Sequence, residues 1–198
     1  MQLPLLFGLV ILAYLLGSLC SAIIVCKLFK LPDPRTQGSS NPGATNVLRI
    51  GGKYPAVCTL IGDMLKAVLP IVIANTMGMS DLYTAIILLS AVLGHIFPVF
   101  FGFKGGKAVA TTVGGLMFFN LQLGLAFVVT WLLTAKLTKI SSLGALVAAV
   151  SMPIFKIILS GVDISILPLC LLSIIILWTH RSNIKRLLSG TEPVVGKK

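Results

Sequence analysis

Two lysines bracket two glycines in the run Phe101-Gly102-Phe103-Lys104-Gly105-Gly106-Lys107-Ala108-Val109-Ala110-Thr111-Thr112, with two threonines inside the apolar segment that follows. Glycine lets backbone N–H groups approach a ligand closely, and lysine adds positive charge, a pairing suited to phosphate or another oxyanion. A basic turn anchoring two membrane helices has the same composition. A nucleotide-binding P-loop is excluded by register, because its first glycine would fall on Phe101 and its hydroxyl residue on Ala108.

Three further polar segments carry comparable chemistry. The loop over residues 27–54 contains Gly38-Ser39-Ser40-Asn41-Pro42-Gly43-Ala44-Thr45-Asn46, then Arg49, Gly51, Gly52 and Lys53. So many Gly, Ser, Asn and Pro residues argue against a long regular element there. They also set hydroxyl and amide donors beside two cations. Ser141-Ser142 lies in the loop at 136–142. The tail from 179 onward reads His180-Arg181-Ser182-Asn183-Ile184-Lys185-Arg186-Leu187-Leu188-Ser189-Gly190-Thr191-Glu192-Pro193, where His180, Asn183 and Leu187 share one helical face. A basic end that anchors the chain to lipid is the plainer reading of that tail. His95 stands a few residues before the lysine run, and both histidines have unperturbed pKa values of about 6.5, suited to proton transfer near neutrality. Cys20, Cys26, Cys58 and Cys170 all fall in apolar segments without metal-ligand spacing, and are expected to pack as small hydrophobes.

The elements that must position these groups are membrane helices. Of 198 residues, 57% are apolar and 11% charged, with a mean hydropathy of +1.04. Soluble domains are nearer half apolar and a quarter charged. The net charge of +11 is spread through short loops and forms no recognition helix or long arm, so nucleic acid is excluded as a partner and the lipid bilayer is expected instead. Leu3–Val25 reads as a retained first span with no cleavage site, so it is expected to stay and not to act as a signal peptide. Pro55–Ala74 and Leu82–Phe101 follow as second and third spans. Asp63 and Lys66, three residues apart inside the second, read as a structural ion pair turned toward the bundle interior.

One continuous helix over 108–135 would strand the later basic loops on the wrong side. A break near Asn120-Leu121-Gln122 resolves this, giving two short helices at about 108–119 and 123–135 that dip in and return. Leu143–Ser160 and Ile164–Thr179 complete the set. The expected fold is one all-α transmembrane domain over residues 1–198. It has seven helices, of which five cross fully, with the N-terminus outside and the C-terminus cytoplasmic. Fourteen of the 16 basic residues, including Lys197 and Lys198, then lie on the inner side, leaving only Lys66 and Lys156 elsewhere.

The Ser-Asn-Pro-Gly-Ala-Thr-Asn loop, His95 with Lys-Gly-Gly-Lys, Ser141-Ser142 and the His-Arg-x-Asn tail, in this order and spacing, resemble the acyl-phosphate-dependent glycerol-3-phosphate acyltransferases of bacterial membranes. The resemblance runs from Gly17-Ser18 through Glu192. It implies transfer of an acyl chain from acyl phosphate to the 1-hydroxyl of glycerol 3-phosphate, giving lysophosphatidic acid and inorganic phosphate. That is the first acylation step of phospholipid synthesis, on the cytoplasmic face of the inner membrane. It further implies no metal, no cofactor, and a functional link to the enzyme that makes acyl phosphate. By match, Ser39, Asn41, Gly43, Ala44, Thr45, Asn46, Arg49, Gly105, Gly106, Lys107, Thr111, Thr112, Arg181 and Arg186 would hold phosphate groups. His180, Asn183, Ser142, Lys104 and His95 would form the catalytic set, with the general base left between His180, His95 and the substrate's own phosphate. The chain departs from the family pattern at Ala108 and Ser40, where glycine is usual, and at Cys20, where proline is usual. A transporter or channel for phosphate or organic phosphate is the alternative reading.

Overall fold

A computed structural model describes residues 2–194, all helix and connecting loop with no strand among them. Lys197 and Lys198, assigned above to the inner side, lie outside the described residues. The first apolar span is broken. Helix α1 (Gln2–Gly17) stops at Ser18-Leu19-Cys20 and α2 (Ser21–Leu28) resumes the course. Helix α3 (Ala44–Gly51) follows within the loop expected to resist regular structure. Gly43, an extended N-cap, starts it and Gly52, at φ +80°, stops it, so it runs only eight residues. The long apolar helices are α4 (Lys53–Thr76), α5 (Asp81–Ile96), α7 (Leu121–Thr138) and α8 (Ser141–Ser160), and α5 runs on through a 3-10 turn at Val99–Phe101. Helices α6 (Val109–Phe119), α9 (Ile166–Thr179) and the short α10 (Arg181–Leu188) complete the chain.

Five segments are long and apolar enough to cross a membrane: Gln2–Leu28, Lys53–Thr76, Asp81–Phe101, Leu121–Thr138 and Ser141–Ser160. Three expectations need correction against this. The described residues form ten α-helices where seven helices were expected. The helix after the Asn120 break has 18 residues, not the thirteen or so expected, because it runs on through Lys136 to Thr138. Conversely α9 has 14 residues, roughly 21 Å at about 1.5 Å per residue, short of a ~30 Å hydrocarbon core. It turns by 59° into α10 at His180. The break itself falls where the sequence placed it. Asn120 ends α6 and caps α7, its side-chain oxygen accepting from the Leu123 N–H at 2.9 Å.

Small residues let the helices meet. A Cβ on Gly17 would overlap the Ala91 carbonyl, and one on Gly94 the Tyr14 carbonyl, so α1 and α5 touch backbone to backbone. Gly114 of α6 meets Met64 of α4 in the same way. Between these contacts lies a core of Ile71, Leu88, Leu116, Phe127, Met152 and Leu172, all buried. Cross-links define the far end of the bundle. Asn75 donates to the Phe118 carbonyl at 2.6 Å, Asn120 to Ser160 at 3.3 Å, and the Lys156 ammonium lies 2.5 Å from Asp163 and 3.9 Å from Asp81. Gln2 reaches Gly78 there as well. Lys27, Lys53, His95, Lys104, Ser142 and His180 consequently gather at the opposite end.

Of the four cysteines, Cys20 and Cys26 are buried as expected, whereas Cys58 is exposed on the outer face of α4 and Cys170 half-buried. In an integral membrane protein an outward face is apolar too, so an apolar segment does not imply a buried side chain.

Candidate active site

The Lys-Gly-Gly-Lys turn is pinned to the end of α5. The Gly105 N–H donates to the Ile96 carbonyl and the Gly106 N–H to the His95 carbonyl, each at 3.1 Å. Both glycine N–H groups are thus spent on the fold and not held out to a ligand. Their role is steric: a Cβ on Gly105 would overlap the His95 carbonyl, and one on Gly106 the His95 Nε2. The donors left free are the first-turn N–H groups of α6, which starts at Val109. Together with the helix dipole they are suited to an anion. Ala108 caps that helix in the left-handed region at φ +61°, so the position where glycine is usual does require a positive φ. Ser40, the other such departure, stands at φ +56°.

The Ser-Asn-Pro-Gly loop lies against this turn, with the Pro42 carbonyl beside Gly106. Its shape comes from Asn46. The buried Asn46 amide donates to the carbonyls of Pro34 at 2.9 Å and Gln37 at 3.0 Å, and its oxygen accepts from the Ser39 N–H at 3.0 Å. Asn46 therefore organises the loop and has little capacity left for a ligand. Arg35 ties the loop to the Phe101 carbonyl at 3.2 Å while paired with Asp33 at 2.7 Å. Ser39, Thr45 and Arg49 are exposed, and Asn41, Gly43 and Ala44 half-buried.

A cleft of about 210 Å³ opens between these segments. Asn41, Lys104, Lys107 and Arg181 supply its polar lining, and Phe97, Phe103 and Trp178 its aromatic lip. The Arg181 guanidinium stacks 4.5 Å above the Trp178 ring. Beside the cleft, Lys107 donates to the Asn183 side-chain oxygen. The Asn183 amide in turn donates to Glu192 at 2.6 Å, as do Ser142 at 2.5 Å and Arg186 at 2.7 Å. Sequence reasoning missed Glu192 as a member of this group. Its carboxylate is 7% exposed and binds the tail across α8 and α10. The available signal was a lone acid in a strongly basic tail. Burial pushes the Glu192 carboxyl up, but the hydrogen bonds from Ser142, Asn183 and Arg186 outweigh it and hold it below its ordinary value. Burial, helped by the charges of Arg186 and Arg49 and opposed by Glu192, lowers the Lys107 ammonium to about 8.

His180 is buried at the turn between α9 and α10, its Nδ1–H donating to the Ile176 carbonyl at 2.8 Å. That fixes Nδ1 as the protonated nitrogen and leaves Nε2 with the lone pair. His95 lies under the turn, its Nδ1 3.3 Å from Thr111 Oγ1 and 3.6 Å from Asp63. Thr111 and Thr112 are fully buried, so they face the interior and not the cleft. The expected Asp63–Lys66 pair is present at 2.9 Å.

The glycerol-3-phosphate acyltransferase family model matches residues 7–190. The chain belongs to the glycerol-3-phosphate acyltransferase family. It is 55% identical over 192 residues to a glycerol-3-phosphate acyltransferase of Francisella tularensis subsp. holarctica, covering 97% of this chain and 94% of the relative. To one from Thioalkalivibrio sulfidiphilus it is 49% identical over 191 residues, covering 96% and 94%. The structure superposes on the crystal structure of PlsY (YgiH), an integral membrane glycerol 3-phosphate acyltransferase, in its glycerol 3-phosphate form. The TM-score is 0.90 at 37% identity, with 96% of each chain covered. The lysophosphatidic acid form of PlsY gives a TM-score of 0.86 at 36% identity. This protein is accordingly a multi-pass membrane acyltransferase acting on glycerol 3-phosphate, and family membership decides for acyl transfer over transport.

Proposed function

We propose that the acyl donor is an acyl phosphate, that inorganic phosphate is released, and that the reaction runs on the cytoplasmic face of a bacterial inner membrane. The observation that carries this reading is the cleft itself. It joins cations from two segments (Lys104 and Lys107 of the turn, Arg181 of α10) to an aromatic lip, with the N-terminus of α6 two residues beyond Lys107. Such a site suits an acid whose other end is a hydrocarbon chain. Its lining supplies no serine or cysteine nucleophile, and an acyl phosphate needs none because its carbonyl is already activated. The 1-hydroxyl oxygen of glycerol 3-phosphate bonds to the acyl carbon, and the bond from that carbon to the phosphate oxygen breaks. Lys104 and Lys107 stabilise the departing phosphate, and the first-turn N–H groups of α6 stabilise the developing oxyanion.

The hydroxyl proton has two acceptors in reach of this scheme, the substrate phosphate with a second pKa of about 6 and His180 Nε2. Ser142, Asn183 and Arg186 orient glycerol phosphate, steadied by Glu192. The charge distribution supports an N-terminus outside and the site inside, since every described basic residue except Lys66 and Lys156 falls at the site end. The linked partner is the enzyme that supplies acyl phosphate.

Purified protein given palmitoyl phosphate and glycerol 3-phosphate is expected to release phosphate and form lysophosphatidic acid only when both are present. Lys104→Ala should lower turnover about 10²-fold. Equal use of palmitoyl-CoA, or acylation without phosphate release, would overturn the acyl phosphate assignment. His180→Ala with normal turnover and unchanged glycerol phosphate affinity would leave the substrate phosphate as the base.

A further inference from the structure

Below the Lys-Gly-Gly-Lys turn lies a buried polar cluster that the reaction scheme does not use. Asp63 and Lys66, one turn apart on α4, have side chains only 3% and 4% exposed. The Lys66 ammonium donates to Asp63 at 2.9 Å and to the Leu19 carbonyl at 3.1 Å, and Leu19 belongs to the break between α1 and α2. Asp63 faces the His95 Nδ1, and Thr111 in the first turn of α6 closes the set. Four segments therefore meet at one ion pair. Replacing a buried ion pair by apolar residues is often neutral or stabilising, so stability by itself does not account for this one. At membrane depth the argument is stronger, since charges there mark function or a partner.

What the cluster touches is the underside of the site. The His95 ring turns Nδ1 to Asp63 and Thr111 and Nε2 to Gly106, against which it leaves no space for a side chain. We propose that Asp63 and Lys66 are positioning residues for glycerol 3-phosphate binding. The pair holds the His95 ring through Nδ1, and the ring seats the Gly105-Gly106 turn that sets Lys104 and Lys107 at the cleft. This rests on the cleft being the substrate site. It adds that the geometry of the two lysines is set from α4, about one helix layer away from any substrate contact.

The test is a double-mutant cycle read by calorimetric binding of glycerol 3-phosphate beside the kinetics. Asp63→Asn/Lys66→Met removes both charges together and avoids stranding one. With thermal stability kept, its dissociation constant and KM should rise about tenfold, the scale of a small misplacement in a site. In a His95→Ala background the same double change should add almost nothing. Unaltered binding in Asp63→Asn/Lys66→Met, or a full additive loss on top of His95→Ala, would reduce the pair to scaffolding. Should the double variant not fold, the isosteric single change Asp63→Asn decides. The inference requires it to weaken glycerol 3-phosphate binding in the wild-type background and to add almost nothing to His95→Ala, and equal losses in both backgrounds overturn it. A wild-type protein that binds glycerol 3-phosphate normally but forms no lysophosphatidic acid with any donor would instead count against the reaction proposed above.

Discussion

Lys107 is the residue whose ionisation the site can least hide. Its ammonium, held near 8 chiefly by burial and by the neighbouring arginine charges, is protonated below that pH and neutral above it. The free enzyme's kcat/KM for glycerol 3-phosphate should therefore rise as the substrate phosphate becomes a dianion near pH ~6 and fall again as pH passes about 8. In Lys107→Arg the alkaline limb should move out of range, because guanidinium stays charged. A pH profile of that variant with its alkaline limb unmoved would assign the limb to another group. The sign for stability is opposite. With its folded pKa below the unfolded value, Lys107 opposes folding at neutral pH, and that penalty fades as pH rises from about 8 toward 10.5. On the proposed scheme a single side chain serves substrate charge at a cost to the fold.

The helices carry their own strain and their own punctuation. Ala108 caps α6 at φ +61° and Ser40 turns the Ser-Asn-Pro-Gly loop at φ +56°. A Cβ in that region costs about 1–2 kcal/mol, partly offset because glycine loosens the unfolded chain by about 0.4–1 kcal/mol. Ala108→Gly and Ser40→Gly should each raise the melting temperature slightly without loss of turnover, as measured by thermal unfolding in detergent. A fall in stability at either site would show that the side chain makes contacts that outweigh its backbone strain. Where α1 meets α5, the demand is the reverse: Gly17 and Gly94 leave no room for any side chain, since each faces a backbone carbonyl of its neighbour.

At the scale of the molecule, charge and topology agree. The described start of the chain sits with the far-end contacts of Gln2, Asn75 and Ser160, whereas Glu192 and α10 sit at the site end. The proposed orientation predicts that single cysteines at Gln2 and Thr191 react with impermeant reagents from opposite sides of the membrane, Thr191 from the cytoplasm. Labelling of both from one side would break the topology. Across the whole molecule one end is built for function, and the buried Lys156 with Asp163 and Asp81 closes the other.

Much of this was legible residue by residue. Apolar length and basic flanks reveal a membrane bundle because hydrocarbon tolerates little else, and the sidedness of the basic loops points to a helix break near Asn120, whose side chain then caps α7. The motif loops also appear in the sequence, since Gly, Ser and Asn accumulate where a backbone must approach a ligand. The division of labour among those residues was not legible. Asn46 and Thr112 read as ligands in sequence, yet Asn46 spends its hydrogen bonds inside its own loop and Thr112 points into the bundle. Gly105 and Gly106 read as donors, yet their N–H groups are bound to α5. Glu192 read as an ordinary tail residue and proves to join Ser142, Asn183 and Arg186. These outcomes depend on which groups, far apart in the chain, arrive within hydrogen-bond distance. Local spacing carries no record of that distance, so it was decided only when the helices packed.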